Sequence, residues 1–411
     1  MARNSSVSFP ASHPFGDSNL LLAVPRVEYS RIQNDTSDKE TVYYKLQAAQ
    51  AKNILGIVCI VTILAVLAAT LWPFNPFPRN RVHWLKDSNG IEFEGPGVVI
   101  SKVPLQAAKN GPQQSCTLEI LLRPASITSL STILSFYTPN NPGQFLIRQW
   151  RDSLLVRSAV ETKSQMKQRK LDVDHASQVG KIILVTIVSG PNGTTVYSNG
   201  QDPQHFPRFT TSPSELSGQI VIGNSPVDYE PWSGDLLGLA IYSDELNPEQ
   251  VFEHYEGWTG NRVLDPSRLS GAAAVYSFAE RAGHEIHSAV VSGPDLEIPR
   301  YFEIPHKALL SSPVKEFQAN WEYVEDVLQN VAGFIPLGFV ICAYLMSTRG
   351  RGRSIVLTIF AAATLSFMIE VLQAYIPRRV SGMTDIFTNT LGAALGAALA
   401  RPAVVRRILR N

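Results

Sequence analysis

An uncharged apolar block near the N-terminus restricts this chain more than any other feature. Residues 54–72 read ILGIVCIVTILAVLAATLW, nineteen residues without a charge. A helix needs about 20 such residues to cross the roughly 30 Å hydrocarbon core of a bilayer. A polar segment of 53 residues precedes the block, whereas a cleavable signal peptide begins with a short basic stretch. The sequence therefore predicts an uncleaved transmembrane helix over 54–72.

Three further apolar blocks lie near the C-terminus. Residues 327–348 carry no charge, 354–376 carry only Glu370, and 383–400 carry only Asp385. Blocks of this length and hydrophobicity are typical of transmembrane helices. Together with 54–72 they predict a four-helix transmembrane bundle.

The two ends of the chain are predicted to be tails. Residues 1–53 are rich in Ser, Pro and Asn and show no sustained periodicity, which is typical of disorder. Residues 402–411 form a short basic segment.

Arginine residues in the short loops predict the orientation, because cytoplasmic loops carry an excess of Lys and Arg. One group lies between the second and third blocks, and another follows the last block. Both segments are therefore expected in the cytoplasm, which places residues 73–325 outside and makes the protein a multi-pass membrane protein. The residues concerned are Arg349, Arg351, Arg353, Arg401, Arg406, Arg407 and Arg410.

Charge and cysteine content exclude two classes of protein. The chain has 36 basic and 35 acidic residues, so it lacks the global basic excess that drives binding to nucleic acid. Three cysteines in 411 residues cannot form the framework of a disulfide-stapled extracellular scaffold.

Residues 81–303 have a different character from the apolar blocks. Short apolar runs alternate there with Pro, Gly and Asn clusters, a pattern that predicts an all-β jelly-roll sandwich. Pro191-Asn192-Gly193 indicates a hairpin turn, since Asn and Gly tolerate positive φ. Asn247 followed by Pro248 predicts the start of a helix.

An ordered set of landmarks in this segment resembles the laminin-G-like, concanavalin A-like lectin/glucanase domains. The landmarks are Gly90 to Phe93 with Gly95, Cys116 to Ile120 with Arg123-Pro124, Tyr197 to Gly200, Ile222-Gly223, Trp232 to Asp235, and Leu246 to Tyr255. They span about 85 to 258, and Tyr276 to Pro299 extends the resemblance toward 303. The resemblance implies binding of sugar or protein.

Two observations bear on what such a domain would do. Glucanases of this superfamily need paired carboxylates on one strand, and no E-x-D-x-x-E arrangement occurs here, so hydrolysis is disfavoured. Trp150, Trp232 and Trp258 could stack on sugar rings, or they could pack in the sandwich core.

Polar residues inside apolar helices are costly and mark functional sites. With the predicted topology, all of them fall on one side of the membrane, where separate helices could direct them at one pocket. Alternatively, Glu370 or Asp385 could pair with a neighbouring arginine and only lock the bundle. The candidate residues are Asn330, Glu370, Gln373, Arg378, Arg379, Asp385 and Asn389.

The same residues carry a second resemblance, to the VanZ family of small bacterial membrane proteins. The motif comprises Pro73-Phe74, Asp326 and Asn330 before Phe334 to Phe339, E-x-x-Q at 370–373, Arg378 or Arg379, and Asp385 with Asn389 to Gly392. The match covers about 54–78 and 320–401 and makes the sandwich an insertion between the first two helices. It implies a link to glycopeptide (teicoplanin) resistance.

Two functional hypotheses follow. In the first, the protein displays a lectin-like domain that binds a glycan or a peptidoglycan-related envelope component. In the second, it is an enzyme or lipid-handling protein in which Glu370 and Asp385 act as acid and base, while Arg378 or Arg379 holds the anionic headgroup of a membrane lipid. The sequence predicts no cofactor and no metal, and it leans against an enzyme.

Overall fold

A computed structural model of the chain describes residues 27–107, 114–162, 165–260 and 271–408. It contains a β-sandwich and a group of long helices that lie before and after it in the sequence. The helices are α1 Val27–Leu71, α2 Pro248–Gly260, α3 Pro313–Glu316, α4 Trp321–Met346, α5 Arg351–Ala374, α6 Met383–Leu399 and α7 Pro402–Ile408.

Sixteen strands of the described residues form two antiparallel sheets. The first sheet has the order β1-β2-β13-β4-β9-β10-β11, with β14 also paired to β13. The second has the order β15-β16-β3-β12-β5-β6-β7-β8. The strands are β1 Val82–Trp84, β2 Ile91–Glu94, β3 Val99–Ser101, β4 Cys116–Pro124, β5 Ser131–Thr138, β6 Asn141–Trp150, β7 Ser153–Thr162, β8 Gln165–Val173, β9 Ile183–Gly190, β10 Gly193–Ser198, β11 Gln201–Phe206, β12 Gln219–Ile222, β13 Ser233–Tyr242, β14 Ala272–Tyr276, β15 Glu285–Ile286 and β16 Leu296–Glu297.

The sandwich core lies between the two sheets. Alternate residues of each strand point inward, as the period of two requires, and Phe93, Phe136, Phe145 and Trp232 are fully buried there. Apolar burial on this scale provides the main favourable free energy of folding. The predicted sandwich architecture is therefore present.

Two local predictions within the sandwich are confirmed. Residues 191 and 192 connect β9 to β10, and Gly193 has a φ of +123°. At the start of α2, the Asn247 Oδ1 accepts a hydrogen bond from the Gln250 backbone N–H at 2.9 Å. The Gln250 Oε1 accepts in return from the Asn247 backbone N–H, so the two residues form a reciprocal cap.

Helix α2 covers the outer face of the first sheet. Val251 and Trp258 pack on Leu121 and Leu237 in a second apolar cluster. Strand β4 is therefore buried on both faces, which explains its nearly continuous apolar sequence.

The first apolar helix is longer than predicted. Residues 27–53 were expected to belong to a disordered tail, but α1 begins at Val27 and runs to Leu71. Helix-forming residues such as Lys45, Gln47 and Lys52 directly precede the apolar block, so the helix extends along them. The rest of the predicted tail, 1–26, lies outside the described residues.

The membrane part differs from the prediction at its fourth helix. Among the described residues, three helices are long and apolar enough to cross a membrane: Ala49–Leu71, Trp321–Met346 and Arg351–Ala374. Helix α6 has 17 residues, which at 1.5 Å per residue extend about 26 Å, less than the roughly 30 Å hydrocarbon core. Gly382 at its N-cap and Pro402 after its end limit its length. A crossing by α6, and with it the four-helix transmembrane bundle, stays a prediction.

Small residues allow α4 and α6 to approach closely, as the G-x-x-x-G spacing of Gly392 and Gly396 indicates. A Cβ at Gly396 would lie 2.0 Å from the Ile335 carbonyl oxygen. A Cβ at Gly338 would lie 2.1 Å from the Ala393 carbonyl oxygen. The two helices therefore touch backbone to backbone.

The chain leaving the sandwich connects it to the helices. Phe302 and Ile304 pack against Val221 and partly buried Tyr137 on the outer face of the second sheet. Farther along, the Ser311 backbone N–H donates to the Ser381 carbonyl at 3.0 Å. This connection holds the sandwich against the loop between α5 and α6, where several candidate residues lie.

Candidate functional site

A cavity of about 690 Å³ lies between α1, α4 and the start of α6, and we call it the interhelical cavity. Six of the seven residues predicted from the sequence line it. One wall is formed by small residues of α1, including Ala65 and Ala69. The six are Asn330, Gln373, Arg378, Arg379, Asp385 and Asn389.

Hydrogen bonds connect these polar side chains to neighbouring helices. The Asn330 Nδ2 donates to the Asp385 Oδ1 at 2.8 Å. The Asn389 Nδ2 donates to the Ser366 Oγ at 2.9 Å, and the Gln373 Nε2 donates to the Thr70 carbonyl at 2.9 Å. These bonds fix the orientation of the side chains that face the cavity.

Glu370 lies behind the cavity wall rather than on it. Its side chain is almost fully buried, and its Oε2 accepts a hydrogen bond from the Gly382 backbone N–H at 2.8 Å. Glu370 is therefore held against the backbone at the start of α6, behind the wall to which Asp385 contributes.

The two arginines do not pair with these carboxylates. The Arg378 Nε donates to the Tyr229 hydroxyl at 2.9 Å, and its guanidinium lies 5.2 Å from the centre of that ring. Arg379 donates to the Trp72 carbonyl. No ion pair in the described part of the chain joins either arginine to Glu370 or Asp385, so the alternative of an arginine lock is wrong in that form.

Three residues at this site were missed from the sequence. The Glu316 Oε2 accepts from the Thr384 backbone N–H at 3.1 Å, and a carboxylate there favours the N-terminus of α6. Tyr229 of the sandwich contacts Arg378, as described above. Neither residue belongs to an apolar block or a motif, so no sequence signal identifies them.

Lys307 is the third missed residue, and it contacts the end of α5. Its Nζ donates to the carbonyl oxygens of Gln373 and Ile376. A cation favours the C-terminus of a helix, yet burial lowers the pKa of Lys307 to about 8. The lysine thus ties the connecting segment to α5, and it loses its charge at a lower pH than an ordinary lysine does.

The sandwich has a smaller groove of about 190 Å³ on the outer face of its second sheet, which we call the sheet groove. It is lined by residues of β6, β7 and β8 and of the loop near Asp228. The buried Nε of Arg157 has no hydrogen-bond partner, while Arg148 pairs with Glu230 at 3.1 Å. Polar lining residues include Arg148, Arg157, Ser158, Gln168 and Asp228.

The three tryptophans considered as sugar platforms separate into two classes. Trp232 and Trp258 are fully buried in the sandwich. Trp150 is 45% exposed at the end of β6, beside the guanidinium of Arg151. Only Trp150 of these three could stack on a ligand.

Two family models match this chain. Residues 278–407 match VanZ/LLP1, and residues 101–252 match the concanavalin A-like lectin/glucanases superfamily. The chain thus joins a VanZ-like region to a concanavalin A-like domain. This is the combination that the motifs indicated, although the VanZ match begins earlier than the predicted 320 and includes the last strands of the sandwich.

Solved structures are similar to the chain over part of its length, while a comparison with curated proteins found no match. A candidate carbohydrate-binding protein from Bacteroides ovatus is 18% identical, with a TM-score of 0.35, covering 54% of this chain and 62% of that one. A pentraxin from Limulus polyphemus is 17% identical, with a TM-score of 0.31, covering 54% and 93%. A sialidase CBM40 module from Ruminococcus gnavus is 14% identical, with a TM-score of 0.31, covering 41% and 97%.

The VanZ-like region carries a set of polar side chains around the interhelical cavity. Within the described ranges, no three His, Cys, Asp or Glu side chains are placed to hold a metal ion together. What the six predicted residues offer is the carboxyl group of Asp385, three amide side chains and two guanidinium groups around one space. Such a set can bind a polar headgroup and transfer protons.

Proposed function

We propose that this protein is a multi-pass membrane protein that holds a glycan-binding sandwich at the outer surface of a bacterial inner membrane. The observation that carries the proposal is the match of residues 101–252 to the lectin/glucanases superfamily. The missing pair of catalytic carboxylates favours binding over hydrolysis. The VanZ resemblance extends the proposal to an envelope role in glycopeptide resistance.

The sheet groove is the glycan site that we propose. Hydroxyl groups of a sugar both donate and accept hydrogen bonds, and Asp228 and Gln168 can accept where Arg157 can donate. The Arg157 side chain is half-buried and lines the groove. The terminal N–H groups of its guanidinium can therefore donate to a sugar bound there.

Binding of the full-length chain to a glycan array and to peptidoglycan fragments tests this site. We expect Arg157→Ala to abolish binding that the wild-type chain shows. Lys170→Ala is the matched control, because Lys170 lies opposite Arg157 on β8 but does not line the groove. A folded wild-type chain that binds no glycan, or equal binding by both variants, would refute the assignment.

The orientation is part of the proposal and has its own test. Topology reporters fused at Gly350, Asn192 and Asn411 are expected to give cytoplasmic, periplasmic and cytoplasmic signals. The arginine-rich loop at 349–353 supports this arrangement. A cytoplasmic signal from Asn192 would remove envelope glycans from the reach of the sandwich.

A second candidate function concerns the interhelical cavity. Six of the seven predicted residues line one space, which suits a lipid whose headgroup exchanges protons with Asp385 and, behind it, Glu370. Glu370→Gln and Asp385→Asn keep the shape of each side chain while removing its acidity. If neither change alters teicoplanin susceptibility or envelope lipid composition in cells that contain normal amounts of protein, the carboxyl pair is structural.

A further inference from the structure

A separate cavity of about 600 Å³ lies where the sandwich meets the helices, and we call it the junction cavity. Its walls are formed by several residues between Pro73 and His83, by Glu94, Pro96 and Tyr229 of the sandwich, and by Ile376 to Arg378 of the loop after α5. It shares Arg378 with the interhelical cavity and no other lining residue. The junction cavity therefore has its own chemistry.

That chemistry is cationic. Arg79, Arg81 and Arg378 line the cavity with His83 and a single carboxylate, Glu94. The Glu94 Oε2 lies 3.8 Å from the His83 Nε2. The side chains of Arg79 and Arg81 are exposed and have no hydrogen-bond or ion-pair partner among the described residues, so they can engage an anion.

The backbone holds these two arginines in fixed positions. Arg79 bridges to Tyr301 in an antiparallel contact. The Arg81 N–H donates to the Pro96 carbonyl at 3.1 Å, and the Arg81 carbonyl accepts from Glu94 at the same distance. Arg378 is oriented from the opposite wall by its contacts with the Tyr229 hydroxyl and ring. Three guanidinium groups thus line one cavity, and the backbone that carries them is already ordered. This order reduces the entropic cost of binding an anion.

Exposed aromatic residues place the cavity at a membrane surface. Trp72 is 73% exposed, and Phe74, Phe77 and Tyr375 are also exposed. Aromatic side chains are enriched at the headgroup level of membrane proteins. Trp72 and Tyr375 stand at the ends of α1 and α5, next to the cavity, so the cavity lies at the depth of lipid headgroups.

The three arginines of the junction cavity depart from the usual distribution of charge in membrane proteins. Cytoplasmic loops carry the excess of Lys and Arg, whereas Arg79, Arg81 and Arg378 lie on the side predicted to be outside. Binding of an anionic ligand would explain why basic residues lie on this side.

We propose that the junction cavity binds the phosphate group of an anionic membrane lipid, with Arg79, Arg81 and Arg378 donating to its oxygens. Planar guanidinium groups match phosphate oxygens and form charge-assisted hydrogen bonds. The site is independent of the glycan groove and of the carboxyl pair. Soluble phosphate has the same chemistry, but the surrounding aromatic residues select a lipid.

Lipid retention by the purified full-length chain tests the proposal. The chain is held in neutral detergent micelles and titrated with phosphatidylglycerol, phosphatidylcholine or inorganic phosphate, and bound ligand is counted by native mass spectrometry. We expect phosphatidylglycerol to bind and the other two to bind much more weakly. The double variant Arg79→Gln with Arg81→Gln should weaken phosphatidylglycerol binding roughly tenfold or more.

Two further variants exclude a general effect of charge or of folding. Arg349→Gln with Arg353→Gln removes two exposed arginines from the opposite end of the helices and should leave binding unchanged. Arg79→Lys with Arg81→Lys keeps the charge and should retain part of the affinity. The proposal would be overturned if phosphatidylcholine or inorganic phosphate bound as strongly as phosphatidylglycerol. It would also be overturned if the two double Gln variants lost phosphatidylglycerol binding to the same extent.

Discussion

The Asn330 side chain of α4 donates a hydrogen bond of 2.8 Å to the Asp385 carboxylate of α6, although 55 residues separate them in the sequence. Similar bonds join Asn389 of α6 to Ser366 of α5, and Gln373 of α5 to the carbonyl of Thr70 in α1. The polar residues of the interhelical cavity therefore also connect the four helices in series. Their structural contribution can be measured separately from any chemistry.

Replacing Asn330 with Leu should destabilise the helices, because the half-buried Asp385 loses its donor. Hydrogen bonds between membrane helices contribute about 0.6 kcal/mol on average and up to about 1.7 kcal/mol. Reversible unfolding in mixed micelles measures the change. Gln329→Leu is the control, since Gln329 bonds to Glu325 on an exposed surface, and equal losses in both variants would contradict the prediction.

The contact between α4 and α6 leads to a second prediction. Gly396→Ala places a Cβ 2.0 Å from the Ile335 carbonyl oxygen, so the helices must separate, at a cost of roughly 1–3 kcal/mol. Gly333→Ala is the matched control within α4, because a Cβ there meets nothing within 4 Å. Alanine is the better helix former, so this control should be neutral or stabilising in the same unfolding experiment.

A buried carboxylate in the sandwich gives a third prediction. Glu119 accepts hydrogen bonds of 3.0 Å from the Trp258 Nε1 and the His254 Nδ1 of α2. Glu119→Leu leaves both groups of α2 buried without an acceptor, which costs about 1–3 kcal/mol for each. Hydrogen exchange over residues 248–260 should become much faster in this variant. The exposed Glu256→Ala should leave exchange elsewhere in α2 unchanged.

Local patterns in the sequence were sufficient to predict much of the fold. The apolar blocks, the hairpin at 191–193 and the cap at Asn247 depend on residues that are close in the chain, so their structures can be derived from spacing and residue type. The G-x-x-x-G spacing at Gly392 and Gly396 likewise indicated a close helix contact, and α4 provides the other side of it.

Contacts between distant segments could not be predicted in this way. Glu119 was part of a strand pattern, and nothing local indicates that it bonds to a helix more than a hundred residues later. The partner of Arg378 is Tyr229 of the sandwich rather than a carboxylate, because the sandwich packs against the loop after α5. The bonds from Glu316 and Glu370 to the start of α6 also join distant segments, and hydropathy does not reveal them.

Lys307 gives a prediction on pH dependence, because burial lowers its pKa to about 8. Its reaction with an amine-directed reagent should rise with pH, reach half of its plateau near pH 8 and level off about one to two pH units higher. Lys102 is the control within the same chain, since its hydrogen bond to Glu285 raises its pKa, so its reaction should continue to rise beyond pH 10. Peptide mapping of labelled chain by mass spectrometry distinguishes the two sites.

The same shift has a consequence for stability. Between pH 8 and roughly pH 10.4, the usual pKa of lysine, the unfolded chain binds more protons at this residue than the folded chain does. The contribution of Lys307 to the free energy of unfolding therefore rises with pH across that window. Lys307→Met removes the titrating group, so the difference in stability between the wild-type chain and this variant should increase in favour of the wild type from pH 8 to pH 10. A difference that stays constant over that range would show that the ammonium group is not penalised by its surroundings.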